Sequence, residues 1–373
     1  MKTHHIKFHL IALCLTALAL NITAQDNDTF SIMTLNVDGQ PAKYFSFHVN
    51  QDGPLSEGSE RISTYLAEKN CDILSLQECF NYRWEIWSRL FGAYEHDEWT
   101  GGIGTEYKDI DWLHLQNERF PCDGLNCIWK KEIQSTAYER EPHKRNFGKF
   151  SHEFDEFITK GFRRHELTLK NGTQIVVYNT HLDASSERDE QIGNDLHDRE
   201  ARLSQWRQLC EHLLNRLDSR PVIVTGDFNS YYYRDSVKTA FIDAIENTGK
   251  ATVGDVWIQK CNKGLYPMIG DIALNEPLDK ILYVNPIGGV SVEPLTITID
   301  TVGYRQEDGK PLGDHYPIIA TFKINNHSSG IPTITDSSIH QHEIYDLRGI
   351  KNTPMRTHIP KGVYIIDRKK LSR

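Results

Sequence analysis

Between Asp28 and Lys323 the chain alternates short β-branched, apolar runs with amphipathic stretches. The runs "FSIMTLN", "DILSLQ", "QIVVYNTH", "VIVTGD", "KILYV" and "PIIATFK" have the length and residue types of buried strands. "SERISTYLAEK" places Ile62, Tyr65 and Leu66 on one face and predicts a helix. "REARLSQWRQLCEHLLNRL" does the same with Leu203, Trp206, Leu209, Leu213, Leu214 and Leu217. Trp84, Trp87 and Phe91 also fall at helical spacing, which predicts a core-facing helix. No segment repeats another in sequence. Strands alternating with helices predict a layered α/β domain.

The two ends break this pattern. "MKTHHIKFHLIALCLTALALNITAQ" has a basic start, an apolar run from Leu10 to Leu20 and a small residue, Ala24, at a position suited to cleavage. Residues 1–24 therefore read as a signal peptide, because the run is shorter than the ~20 residues that span a bilayer. After "HYPIIATFKI" the chain loosens into "NNHSSGIPTITDSSIHQHE", a linker over residues 326–342. A short unit follows at 343–373, with two strand-like runs separated by polar and Pro-Lys-Gly turns.

Composition narrows the possibilities. With 373 residues there is ample chain for a large packed core over 25–325. The formal net charge of −9 disfavours broad electrostatic adhesion to nucleic acid, while leaving room for a site whose acids a divalent cation neutralises. Cys14 leaves with the leader, and the remaining cysteines enter an oxidising exterior, where Cys122 and Cys127 in "PCDGLNC" are close enough to clip a short loop. Neither a CxxC pair nor a Cys/His spacing points to zinc.

The ends of the predicted strands carry the chemistry. "MTLNVDG" ends at Asn36, "LSLQECF" at Glu78, "YNTHLDA" at His181 and Asp183, and "VIVTGDFNS" at Asp227 and Asn229. "PLDKILY" begins at Asp279, and "LGDHYP" sets Asp314 beside His315. A hard cation such as Mg²⁺ takes carboxylate and amide oxygens. Phosphoester cleavage needs a polarised phosphoryl oxygen, an activated water and help for the leaving group. A histidine held by a carboxylate, as Asp279 could hold His315, can exchange a proton with that water.

This ordered set resembles the endonuclease/exonuclease/phosphatase superfamily, over nearly all of residues 28–323. The resemblance implies a four-layered α/β sandwich of DNase I-like type and a metal-dependent phosphoric ester hydrolase. It implies Glu78 as the main Mg²⁺ ligand, Asn36 positioning the metal or the phosphate, and Asp314 as a second acid near the metal. Asp227 would orient or deprotonate the attacking water, and Asn229 would hold a phosphate oxygen. His315, oriented by Asp279, would serve as base or transition-state donor, and His181 would stabilise the pentacovalent phosphorus or assist the leaving group. Asp183 falls where the superfamily varies, and a loop-cap role suits it equally.

Local motifs lean toward the sphingomyelinase branch. "QECFN", the "KGF" of Lys160 to Phe162, and "THLDA" followed by an Arg-x-x-Gln helix are similar to that branch. Lys160 would then neutralise a phosphate and Phe162 face a lipid. "DFN" occurs in DNase I-like enzymes as well as where sphingomyelinases carry Met, so an extracellular nuclease acting on DNA is the alternative, and a catalytically dead binding module a remote one. Trp99, in the glycine-bearing "EWTGGIGTEY", is the candidate for membrane contact, and "SYYYRDS" for a groove or a packing edge. The C-terminal "YDLRG" and "IPKGVYII" resemble the small all-β sorting domain of proteins exported by the type IX secretion system of Bacteroidetes. That implies the secretion machinery as a partner and a released or surface-displayed protein of a Gram-negative bacterium, while the sphingomyelinase resemblance implies a phospholipid membrane as the substrate surface, with DNA as the alternative.

Overall fold

The computed structural model describes residues 28–44, 47–48, 50–99, 123–144, 158–185 and 195–325, with four short segments of the C-terminal unit. The chain separates into compact units at 1–325 and 326–373.

The first unit runs β1 (Thr29–Asn36), a small hairpin of β2 (Lys43–Tyr44) and β3 (Phe47–His48), α1 (Leu55–Lys69), β4 (Ile73–Gln77) and α2 (Arg83–Trp87). It continues with β5 (Tyr94–His96), β6 (Asn126–Lys130), β7 (Gln134–Pro142), β8 (Gly161–Thr168), β9 (Gln174–His181), α3 (Leu196–Asn215) and β10 (Val222–Asp227). A π-helical turn at Lys238–Ile242 leads to α4 (Asp243–Glu246), β11 (Ala251–Asp255), α5 (Val256–Lys260), β12 (Asp279–Pro286), β13 (Ser291–Ile299) and β14 (Ile318–Asn325).

Two six-stranded sheets form, in orders β13-β14-β1-β4-β6-β5 and β11-β12-β10-β9-β8-β7. Each is built around one parallel pair, β1 with β4 and β9 with β10, and every other pairing is antiparallel. A helix crosses over within each parallel pair, α1 in the first and α3 in the second, as parallel strands require. The repeat invisible in the sequence is thus one of topology.

Strand β10 shows how the layers assemble. All six of its residues are buried, and alternate side chains point to opposite faces. Val222 and Val224 join a core with Trp206, Leu209 and Leu213 of α3. Ile223 points the other way, into a core shared with Ile32, Ile73 and Phe322 of the facing sheet. On the far side, Met33, Leu35, Leu74 and Leu76 pack against Ile62 and Leu66 of α1. The order is therefore helix, sheet, sheet, helix: a four-layered α/β sandwich.

Gly226, the penultimate residue of β10, sits at φ 153°, where an added Cβ would meet the Thr180 carbonyl oxygen at 2.1 Å. Only glycine fits that backbone beside a neighbouring strand. Gly226→Ala is expected to lower stability by about 3 kcal/mol, read as a drop in the denaturant midpoint; an unchanged midpoint would show that the two strands separate there at little cost.

The periodicity placed two aromatic side chains on the wrong side. Trp84 is 57% and Phe91 63% exposed, because α2 is a five-residue helix and only Ile86 of it is buried. Among the described residues, Cys71, Cys127 and Cys210 are buried free thiols and Cys261 an exposed one; Cys122 and the signal peptide lie outside the described residues. The second unit holds a four-stranded antiparallel sheet made of Ile344–Tyr345, Lys351–Asn352, Val363–Ile366 and Lys369–Ser372.

Candidate active site

The register of the two parallel pairs brings the polar strand ends together. Asn36, ending β1, lies opposite Gln77, so Glu78 follows immediately beside it. In the other sheet Asp227 is level with His181 on one side and with Asp279 on the other. His315 precedes β14, whose Ile318 pairs with Thr34 of β1. Four of the site's groups therefore stand at the carboxyl ends of the parallel strands, where the inter-sheet core turns polar.

A buried network closes the floor beneath them. Gln77 donates from Nε2 to Asn179 Oδ1 at 2.7 Å, and Asn179 Nδ2 donates to the Leu76 and Asn126 carbonyls at 2.9 and 3.2 Å. Strand β9 is thereby bonded to β4 and β6 of the facing sheet, and satisfied buried amides of this kind fix a single arrangement.

Asp227 is the hub. Its Oδ2 accepts from Asn36 Nδ2 at 3.1 Å and lies 3.5 Å from His181 Nε2 and 3.7 Å from His315 Nε2. Its Oδ1 accepts the Asn229 N–H at 3.0 Å. Asn36 Nδ2 also donates to Glu78 Oε1 at 2.9 Å, while its Oδ1 accepts the Asp38 N–H at 3.0 Å. Only an NH₂ group can serve two carboxylates, so the partners themselves orient the Asn36 amide.

His315 Nδ1 and Asp279 Oδ2 are 2.6 Å apart, the length of a charge-assisted bond. Asp279 and Asp227 together hold the imidazole well above its usual pKa despite the desolvation that opposes this, so His315 is an imidazolium at neutral pH. His181 is the opposite case. Burial, then the Lys160 ammonium, drive it well below its usual range, and it is a neutral imidazole. The carboxyl of Asp227 is kept below its ordinary value, against its burial, by His315, His181 and Lys160.

The other acids lean the other way. Burial, then the charge of Asp314, push Glu78 up to about 7. Burial, then Asp314 and Glu78, push Asp38 up to about 8. Glu78, Asp38 and Asn229 all sit at positive φ, 51°, 49° and 46°, backbone strain that aims their side chains out of the strand ends. Crowded, partly desolvated carboxylates beside an oriented amide form an oxygen-donor set suited to a hard divalent cation. The atoms of Asp227, Asp279 and His315, all within 4.8 Å of one another, form a second acidic and imidazole group that could take an ion. With His315 charged and bonded to Asp279, that group is better fitted to hold protons.

A family model described as Endonuclease/Exonuclease/phosphatase family matches residues 33–297. The chain belongs to this family. Its members are phosphoester hydrolases. Sphingomyelinases of Mycobacterium bovis and Mycobacterium tuberculosis are 27% identical over 211 residues, covering 54% of this chain but only 36% of theirs. An endonuclease/exonuclease/phosphatase family protein from Bacteroides thetaiotaomicron superposes with a TM-score of 0.53 at 15% identity, covering 82% of this chain and 98% of that one. The human Nocturnin catalytic domain with bound sulfate gives 0.51 at 16%, covering 80% and 95%. At those identities the likeness is one of fold.

Of the residues singled out in the sequence, Asn36, Glu78, His181, Asp227, Asn229, Asp279 and His315 gather in this endonuclease/exonuclease/phosphatase site. Asp314 is exposed and acts on it through its charge. Lys160 is buried, and its Nζ donates to the Leu182 carbonyl at 2.9 Å, the same oxygen that accepts from Asn229 Nδ2 at 3.1 Å. The lysine of "KGF" and the asparagine of "GDFN" thus meet at one carbonyl. Phe162 does not face a lipid: it is 1% exposed and packs against His143, Tyr178 and His212, because odd and even positions of β8 point to opposite sides.

The Arg-x-x-Gln helix has a mechanical role. Gln205 Oε1 accepts the Asp183 N–H at 2.8 Å, and Arg202 bridges Asp235 and the Ser185 hydroxyl, pinning the loop after His181. Asp235 itself comes from "SYYYRDS", whose Tyr232 is buried with its hydroxyl on Asp255, a packing edge. Asp38, held by Asn50, is the site residue that sequence reading overlooked. Its signal was present in "NVDG", two positions beyond Asn36, but an Asp before Gly reads first as a turn.

Proposed function

We propose that the chain is a secreted, Mg²⁺-dependent phosphodiesterase that cleaves a phospholipid headgroup ester in the manner of a sphingomyelinase. The observation that carries the chemistry is Asp227, an ionised carboxylate within 4 Å of two imidazoles in opposite protonation states and bonded to the amide that holds Glu78. The lipid assignment is supported by the 27% identity to sphingomyelinases and by the acidic net charge of −9, which disfavours a polyanionic substrate.

Glu78, with Asp38 and Asp314 nearby, would hold Mg²⁺, which when bound supplies positive charge to the phosphoryl and leaving oxygens. Asp227 orients the attacking water and takes its proton as the new P–O bond forms and the ester P–O bond breaks, and the released alkoxide takes a proton from water. The imidazolium of His315, kept charged by Asp279, donates to a phosphoryl oxygen as negative charge develops there. This makes His315 a donor in preference to a base. Neutral His181, Asn229 and the Lys160 ammonium line the remaining side. The C-terminal unit reads in this proposal as a sorting domain that delivers the enzyme to or beyond the cell surface.

The test offers purified protein and Mg²⁺ both sphingomyelin vesicles and supercoiled plasmid in one tube, and measures phosphocholine and nicked circles. Phosphocholine without nicking is expected. Nicking alone would transfer the protein to the nuclease branch.

A further inference from the structure

The connection from β13 to β14 carries a polar group that the proposed chemistry leaves unused. Tyr304 is 0% exposed, and among the described residues its hydroxyl has no hydrogen-bond partner. A phenylalanine would fill the same space without burying an unpaired hydroxyl, an arrangement that costs stability and that native proteins seldom keep without a reason.

The ring itself is held firmly. Tyr65 of α1 packs edge-on to it at 5.0 Å, and the Tyr65 hydroxyl donates to Asp300 Oδ2 at 2.8 Å. Asp300 Oδ1 accepts the N–H of Gly303, the residue before Tyr304, at 2.6 Å. Beyond Tyr304 the chain makes a tight excursion, bridged from Arg305 to Pro311, and returns with the Leu312 N–H 3.4 Å from the Tyr304 carbonyl. That return sets Gly313 against the Tyr304 hydroxyl, and Asp314 and His315 follow at once.

Gly313 is the second observation. A Cβ built on it would lie 3.3 Å from Tyr304 Oη and 3.9 Å from Asp38 Cβ, its two nearest neighbours there. The glycine thus keeps a gap of about one methyl group, which is also about one water, between the phenol and the stem of a site acid. Burial, then the charges of Asp314 and Asp38, hold the phenol well above its ordinary pKa, so it stays neutral. A neutral phenol is a weak direct ligand but a good partner for water. Mg²⁺ keeps several of its waters, and each presents two hydrogens that need acceptors. A carboxylate can take one and Tyr304 Oη the other.

We propose that Tyr304 is a positioning residue of the cation site, its hydroxyl oxygen accepting from a water of the hydrated Mg²⁺ seated over Gly313 beside Asp38. The inference rests on the cation reading of the proposed function and adds a residue to it.

The experiment titrates Mg²⁺ into the full chain by calorimetry, beside Tyr304→Phe and Gly313→Ala, and follows the near-ultraviolet tyrosine difference spectrum. Tyr304→Phe is expected to weaken Mg²⁺ binding about fivefold, the worth of one hydrogen bond, with an equal or higher melting temperature in EDTA. Mg²⁺ should perturb the tyrosine spectrum of the wild type and remove that perturbation's main band in Tyr304→Phe. Gly313→Ala keeps the hydroxyl but fills the gap, at a position outside the left-handed region, and is expected to weaken Mg²⁺ to a similar degree. It carries the test by itself if Tyr304→Phe fails to fold. A purely structural role would lower the melting temperature and leave Mg²⁺ affinity and the spectrum as in the wild type, which overturns the inference. Equal Mg²⁺ affinity in all three chains, with phosphocholine still released, removes Tyr304 from the site and leaves the proposed function standing. A wild type that neither binds Mg²⁺ nor hydrolyses sphingomyelin or plasmid overturns both.

Discussion

Asp227→Asn is expected to lower kcat about a thousandfold while KM changes little, in a protein that still folds. The carboxylate is the one group that touches Asn36, lies within 4 Å of His181 and His315, and accepts the Asn229 N–H. An amide at this position keeps an oxygen for the Asn229 N–H but turns an NH₂ toward the NH₂ of Asn36, and it can neither take a proton nor balance two imidazoles. Loss of a positioned acid–base group is worth about 10²–10⁴-fold, and loss of the charge that organises its neighbours adds to that. The measurement is single-turnover hydrolysis of the vesicle substrate together with a melting curve. A variant within about fivefold of wild type would remove Asp227 from the chemistry.

The second large effect concerns pH and the metal. Burial, then the charge of Asp314, push Glu78 up to about 7, and burial, then the charges of Asp314 and Glu78, push Asp38 up to about 8. A divalent cation binding there must displace those protons. Apparent Mg²⁺ affinity is therefore expected to rise with pH up to about 8, by about tenfold per unit for each proton displaced. Titration calorimetry in two buffers of different ionisation enthalpy reads both the affinity and the protons released. The sign for stability follows from the same groups. Between their ordinary values, 4.5 and 3.8, and their folded values, the native state binds more protons than the unfolded chain. Their contribution to the stability of metal-free protein declines as pH rises through that window, and Mg²⁺ should restore it most at the alkaline end. Glu78→Gln is expected to flatten the affinity profile near pH 7. An affinity independent of pH from 6 to 8 would place the metal away from these two acids.

Most of the candidate site was legible because its residues end strands, and strand ends are what apolar runs mark best. Asn36, His181 and Asp227 each close a run of buried residues, and Asp279 opens one. Strand β8 escaped notice because three consecutive buried positions in it are polar. In β8, Arg163, Arg164 and His165 are all buried, with Arg163 satisfied by Asp97 and Asp123 from the facing sheet. Nothing local reveals that partnership, since the acids lie 66 and 40 positions away. The exposed Trp84 shows the reverse error, in which helical spacing promised burial and a helix too short to present a face did not deliver it.

The sequence by itself determined the layered α/β architecture, the strand that carries each polar group, and the oxygen and imidazole chemistry available, because period and residue type are local properties of the chain. Only the tertiary structure decided which groups meet and in what charge state. The parallel registers put Asp227 level with His181 and Asn36 level with Gln77. Desolvation and neighbouring charge then made one histidine neutral and the other an imidazolium. Those outcomes depend on distances between residues far apart in the chain, and electrostatic energy at such distances exists only once the two sheets have closed on each other.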